Sequence, residues 1–141
     1  MITKIAKEYH FEMSHRLPFH SGPCKNIHGH SYKLIVTLEG ELDNNSMVLD
    51  YYEVDRIIVP IIKNFDHSFL CDKNDKIMIE FLAQNGFKYS VIPYVTTSEN
   101  IVTYFIDTIK EHFQKFDNLL TLSVRLYETQ DAYAERKIPL K

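Results

Sequence analysis

From Ile5 to His15 the odd positions read Ile5, Lys7, Tyr9, Phe11, Met13 and His15, set against Ala6, Glu8, His10, Glu12 and Ser14. This imperfect period of two suits one half-buried face of a strand and no face of a helix. Leu17 to Lys25 contains Pro18, Gly22 and Pro23 and is expected to be a loop. From His28 to Gly40 the alternation resumes through His30, Tyr32, Leu34, Val36 and Leu38. Two long consecutive strands are therefore expected near the start of the chain, and they restrict every later element to packing against a sheet.

Asp50-Tyr-Tyr-Glu53 has the form of a capping box, followed by Val54, Ile57, Ile58, Ile61, Ile62 and Phe65 at helical spacing. Pro60 lies inside that run and predicts a kink or an early stop, because proline has no N–H for the helix ladder. A short helix is expected from Lys76 to Gln84, closed by Asn85-Gly86, and a strand from Phe87 to Tyr94. Thr96-Thr-Ser-Glu99 opens a helix whose buried face is Ile101, Val102, Phe105, Ile106, Ile109 and Phe113, and Leu120, Leu122, Val124, Leu126 and Glu128 alternate as a last strand. The order predicts an α+β chain: an antiparallel β-sheet with helices packed on one face. The other face needs a cover, which another subunit would supply. No repeat or Pro/Gly/Ser-rich linker divides the chain, so residues 1–141 are expected to form one domain.

Sixteen Lys and Arg against nineteen Asp and Glu give a net charge of −3, which builds no broad basic field for nucleic acid. No apolar run approaches the roughly 20 residues that span a bilayer, and MITKIAKEYHFEM intersperses charges where a signal peptide is apolar. A cytoplasmic protein with no membrane partner is expected. The two cysteines, Cys24 and Cys71, are expected to be free thiols, Cys71 a packed one.

Four of the seven histidines fall between His15 and His30. On a strand, residues two apart share a face at a Cα spacing of roughly 7 Å, so His28 and His30 can converge on one ion. If the first two strands pair antiparallel, His15 joins them. Three neutral imidazoles suit Zn²⁺ and leave a fourth position for water or substrate, the composition of a catalytic site. His10 has the opposite parity and is expected at the surface; His20, in the loop, is an outside candidate. Cys24 could be a fourth zinc ligand, a buried apolar thiol or a reactive thiolate beside the metal. Asp66-His67 could be a proton-transfer pair in which the carboxylate fixes the imidazole tautomer, or simply a helix end. Glu128 ends an apolar row, either turned to solvent or held for binding.

Six ordered blocks carry a resemblance to a known family: Phe11-Glu-Met-Ser-His15-Arg-Leu, Cys24-Lys-Asn-Ile-His28-Gly-His30-Ser-Tyr, Leu49-Asp50-Tyr, Asp66-His67-Ser-Phe-Leu, Thr97-Ser-Glu-Asn100 and Tyr127-Glu128-Thr. The chain resembles the 6-pyruvoyl-tetrahydropterin synthase and 6-carboxytetrahydropterin synthase group of pterin enzymes. The resemblance implies a tunnelling fold, in which small α+β subunits join into a trimeric β-barrel and two trimers stack into a homohexamer with active sites between subunits. It implies that His15, His28 and His30 hold zinc, that Cys24 exchanges protons with the substrate side chain, and that Asp66 with His67 completes the relay. Glu128 would anchor the pterin ring by accepting two N–H bonds. Thr97 and Ser98 would add polar contacts to the ring, and Arg16 and Lys25 would lie near the triphosphate.

The activity implied is a zinc lyase that converts 7,8-dihydroneopterin triphosphate to 6-carboxy-5,6,7,8-tetrahydropterin, towards queuosine. The alternative is the sister elimination that gives 6-pyruvoyl-tetrahydropterin. A different class, a non-catalytic oligomer stabilised by zinc with Cys24 as fourth ligand, is also open. Two segments depart from the family pattern: Asp72 to Val95 is longer than in the shortest bacterial members, and Gln130 to Lys141 matches no family motif. Retention of Cys24 separates the chain from the subgroup that carries glutamate there and cleaves dihydroneopterin like an aldolase.

Overall fold

The two alternating segments pair along their whole length. In the computed structural model, which describes residues 1–141, β1 (Thr3–His15) lies antiparallel to β2 (His28–Gly40), from Thr3↔Gly40 to His15↔His28. On its other side β2 pairs antiparallel with β5 (Leu119–Thr129), and β5 with β6 (Ala132–Pro139). Two short strands, β3 (Ser68–Asp72) and β4 (Tyr89–Ile92), extend the sheet parallel to β1, in the order β4-β3-β1-β2-β5-β6.

Three helices accompany the strands: α1 (Tyr51–Phe65), α2 (Lys76–Gln84) and α3 (Ser98–Gln114). All six residues expected on the buried face of α3 are buried. Asp50 caps α1 by accepting the Tyr52 amide at 2.9 Å. Pro60 does not end α1, which continues to Phe65. It sits on the exposed face, where the carbonyl left without its ladder partner is on the solvated side of the helix.

The core lies between α1, α3 and the inward rows of the sheet: Tyr9, Phe11 and Met13 of β1; Tyr32, Leu34, Val36 and Leu38 of β2; and Leu122, Val124 and Leu126 of β5. No helix is long and apolar enough to cross a membrane. The antiparallel sheet with α1 and α3 on one face is as expected, but the helices do not all share that face: β3, α2 and β4 add a parallel β-α-β unit at one edge with α2 on the opposite side, where Met78 and Leu82 pack on Phe69 and Cys71, and β6 adds a strand at the other edge. Over β2, β5 and β6 the face turned away from α1 and α3 is polar. Lys137 and Lys4 pair with Glu39 at 2.5 and 3.6 Å, and Arg125 with Glu135 at 3.1 Å. The sheet leaves the outer edges of β4 and β6 unpaired.

Candidate active site and metal centre

The β1–β2 register places His15 directly opposite His28, and His30 opposite Met13, on the face that carries the core. The three rings meet with centroids 4.7 to 5.3 Å apart, and their ligand-capable nitrogens lie within 4.8 Å of one another. Two rings are aimed from behind. His15 Nδ1 donates to the Thr96 carbonyl at 2.8 Å, with Thr96 Oγ1 at 3.2 Å, and His28 Nδ1 donates to the Asn26 carbonyl at 2.8 Å. Such bonds fix the tautomer that leaves the Nε2 lone pair free, which is the support a metal-binding histidine needs.

The Nε2 atoms of His15 and His30 are buried without a hydrogen-bond partner. Orphaned polar atoms of this kind are rare unless a ligand completes them. His30 is pushed below the usual histidine range, first by burial, with the neighbouring imidazoles outweighing part of the opposing pull of Glu128. The neutral, ligating form is favoured. The donor set fits a divalent ion of the zinc type.

Glu128 continues the inward row of β5, and its Oε1 lies 3.3 Å from His15 Nε2 and 3.4 Å from His30 Nε2. It faces the histidine cluster instead of solvent. Contact with His15 above all holds its carboxyl below the ordinary value, against the effect of burial. Tyr32, on the same face of β2 as His28 and His30, packs edge-on to His30 with its hydroxyl buried and unpartnered. Burial and the Glu128 charge push its phenol well above the ordinary range.

Thr97 and Ser98 start α3, immediately after the Thr96 that anchors His15. The Thr97 hydroxyl caps the helix by accepting the Asn100 amide at 3.3 Å, and Ser98 Oγ donates to Glu99 at 2.9 Å. Cys24 lies in a short 3-10 turn, Pro23–Lys25, half-buried. Its carbonyl accepts the Leu17 amide at 2.8 Å, which folds the loop back towards the end of β1. The group of candidate ligand atoms consists of His15, His28 and His30, and Cys24 is not among them.

Asp66 and His67 form the expected pair, Asp66 Oδ2 to His67 Nδ1 at 3.0 Å. Asp66 Oδ1 also accepts the Glu12 amide at 2.8 Å, and that bond, ahead of the His67 contact, holds its carboxyl below the usual range. His67 takes a left-handed backbone (φ 55°), costing about 1–3 kcal/mol for a non-glycine residue, and its amide bonds the Glu12 carbonyl. The pair is thereby clamped to the flank of β1. His67, 77% exposed, faces a cavity of about 580 Å³ walled by Glu12, Ser31, Phe81, Phe87 and Lys88. Glu12 and Ser31 alternate with Met13 and His30 along their strands, so the pair is not brought into the histidine cluster; His30 alone of the three histidines reaches this cavity.

Arg16 is engaged elsewhere, with Nε and Nη2 on the two oxygens of Asp75 at 2.8 and 2.6 Å. Lys25 is exposed. Sequence reasoning missed Thr96, Asn26 and Tyr32. The parity that grouped His28 with His30 also included Tyr32, whereas Thr96 and Asn26 act through backbone carbonyls, which residue type does not signal.

The family model described as 6-pyruvoyl tetrahydropterin synthase matches residues 4–138. Among curated relatives, 6-carboxy-5,6,7,8-tetrahydropterin synthase of Haemophilus influenzae is 33% identical, covering 94% of this chain and 96% of that protein. The Aquifex aeolicus protein of the same name is 30% identical, covering 97% and 99%. Among solved structures, an uncharacterized protein from Wolinella succinogenes superposes with a TM-score of 0.81 at 23% identity, covering 96% of this chain and 98% of that one. A catalytic-residue mutant of Plasmodium vivax 6-pyruvoyltetrahydropterin synthase gives 0.78 at 18%, covering 99% of each. With the histidine cluster set in that shared fold and the match running almost end to end, the chain belongs to the 6-pyruvoyl tetrahydropterin synthase family.

Proposed function

We propose that this protein is a zinc-dependent lyase that converts 7,8-dihydroneopterin triphosphate to 6-carboxy-5,6,7,8-tetrahydropterin, releasing acetaldehyde and triphosphate, as an early step towards queuosine. The observation that carries the reading is the convergence of His15, His28 and His30, two of them with their second nitrogen already committed to a backbone carbonyl. The name shared by the relatives at 33% and 30% identity favours the 6-carboxy product over the 6-pyruvoyl one.

His15, His28 and His30 would hold the zinc, which supplies Lewis-acid polarisation of the substrate's side-chain oxygens when bound. Cys24, on the loop that folds back to the end of β1, takes and returns the side-chain proton. Glu128 accepts two N–H bonds from the aminopyrimidinone edge, and Thr97 and Ser98 add polar contacts to the ring. The Asp66 carboxylate orients the His67 imidazole for the second proton transfer. Because that pair is held on the flank of β1, in a cavity that only His30 of the three histidines reaches, it acts on the site of a neighbouring subunit in a cytoplasmic homohexamer built as a dimer of trimers.

The test is incubation of the zinc-loaded protein with 7,8-dihydroneopterin triphosphate and identification of the pterin product by mass spectrometry. A 6-carboxy product with acetaldehyde is expected. A 6-pyruvoyl product moves the chain to the sister reaction, and unchanged substrate overturns both.

A further inference from the structure

We propose that Lys88 is the positioning residue of the Asp66-His67 pair: its ammonium holds the peptide that joins the two and so sets where the His67 imidazole stands. The inference rests on the role of that pair in the proposed function and adds to it a residue from the segment 72–95.

The pair lies where the chain passes from α1 into β3. Asp66 follows the helix in an extended conformation (φ −63°, ψ 131°), and His67 comes next in the left-handed region (φ 55°). A half-turn of the peptide plane between them would change ψ of Asp66 and φ of His67 together, and it would return His67 to the unstrained side of the map. Something must hold that plane. Both of its ends are pinned: the His67 amide donates to the Glu12 carbonyl at 2.6 Å, and the Asp66 carbonyl accepts Lys88 Nζ at 2.7 Å. A flip would break both bonds at once.

The fold aims Lys88 at this turn. It immediately precedes β4, and its own carbonyl accepts the Phe69 amide at 3.1 Å, so its main chain is fixed beside the start of β3. From there the side chain reaches back to the end of α1, where Nζ also donates to the Lys63 carbonyl at 2.8 Å. The last carbonyls of a helix lack ladder partners, and α1 ends without a left-handed glycine to satisfy them. A cation suits that terminus, which carries the negative end of the helix dipole. Two of the three ammonium N–H groups are spent on main-chain carbonyls, so Lys88 is committed to the turn although it lines the same cavity as His67.

The Asp66 carboxylate has a separate anchor in the Glu12 amide. Loss of Lys88 therefore removes one of two tethers on the peptide and none on the carboxylate, and its effect is partial.

The test compares Lys88→Met, which keeps the apolar stem and loses the ammonium, with Lys88→Arg, whose guanidinium has N–H groups for both carbonyls. With the zinc-loaded protein and 7,8-dihydroneopterin triphosphate, Lys88→Met is expected to lose about tenfold in kcat with KM within about twofold, the mark of a misplaced group, and Lys88→Arg to recover most of the loss. Hydrogen exchange needs no substrate. In Lys88→Met it should show the His67 amide about tenfold less protected and the Ile109 amide of α3 unchanged. A raised KM with kcat kept would make Lys88 a substrate contact and overturn the positioning role. Protection lost across α3 as well would make it a residue of the fold and overturn the role too, and unchanged exchange at His67 overturns it whatever happens to kcat. If the wild type does not turn the substrate over, the proposed lyase falls, and the exchange comparison alone decides whether Lys88 holds the pair.

Discussion

Replacing Arg16 by methionine should destabilise the chain by about 3 kcal/mol and leave affinity for the proposed triphosphate substrate unchanged. The Arg16 fork meets both oxygens of Asp75, whose side chain is 5% exposed, and so ties the residue after His15 to the start of α2. Removing the guanidinium leaves a carboxylate buried without a partner, which costs about 3–5 kcal/mol. Arg16 is 22% exposed, so water reaches part of the gap and the lower end applies. For a chain of this length that corresponds to a fall in Tm of about 10 °C. The double variant Arg16→Met with Asp75→Leu should recover most of the loss, because the stranded charge is gone. Thermal melts of the three variants measure the stability effect, and KM for the triphosphate substrate measures the other. A single variant within about 1 kcal/mol of wild type would refute the buried-pair account. A folded Arg16→Met protein whose KM rises tenfold would show that the arginine serves the triphosphate after all.

Cys24→Ala should keep one metal per chain and lose turnover, whereas His28→Ala should lose both, as read by metal analysis beside the product assay. In the native protein a thiol reagent at neutral pH should titrate Cys24 promptly and Cys71 only after denaturation, because Cys71 is 1% exposed and burial above all pushes its thiol up to about 11; equal rates would count against the packing around β3. Glu39 is held at about 2 by hydrogen bonds from Lys137 first and Thr121 next. Its unfolded value is near 4.3, so its stabilising effect is complete above that pH and disappears as pH falls towards 2. Urea midpoints of wild type and Glu39→Gln should accordingly converge across that window, and a constant difference would refute the pairing.

The sequence spells out the long strands because one face of each is buried and the other polar, and the same parity placed His15, His28 and His30 together. β3 escaped notice because Ser68–Cys71 are all buried, leaving no alternation to read, and because five residues are too few to outvote a loop. β6 escaped for the opposite reason. As an edge strand it has no buried residue, and its pairing to β5 is carried by the backbone. The Asp66-His67 pair was legible as neighbours, but its cavity is set by where β3 joins β1, a contact between residues more than fifty apart. Arg16 looked like a cation for phosphate from its place beside His15; its partner, Asp75, lies in a segment without a family motif.

The histidine cluster occupies the level at which the inward rows of three strands run out of apolar residues. Phe11 and Met13 give way to His15, Leu34 and Tyr32 to His30 and His28, and Leu126 to Glu128. A slip of one residue between β1 and β2 would turn His28 and His30 to the polar face, but it would also turn Tyr32, Leu34, Val36 and Leu38 out of a 25-residue core. The register that assembles the cluster is thus set by apolar burial, and the proposed metal would inherit it. Chelating the metal should therefore leave the far-ultraviolet circular dichroism unchanged and a cooperative melt in place. The loss of stability should be only the binding term, about 2.7 kcal/mol at free metal a hundredfold above Kd. A chain that unfolds on chelation, as small zinc modules do, would refute this account and restore the structural-zinc alternative.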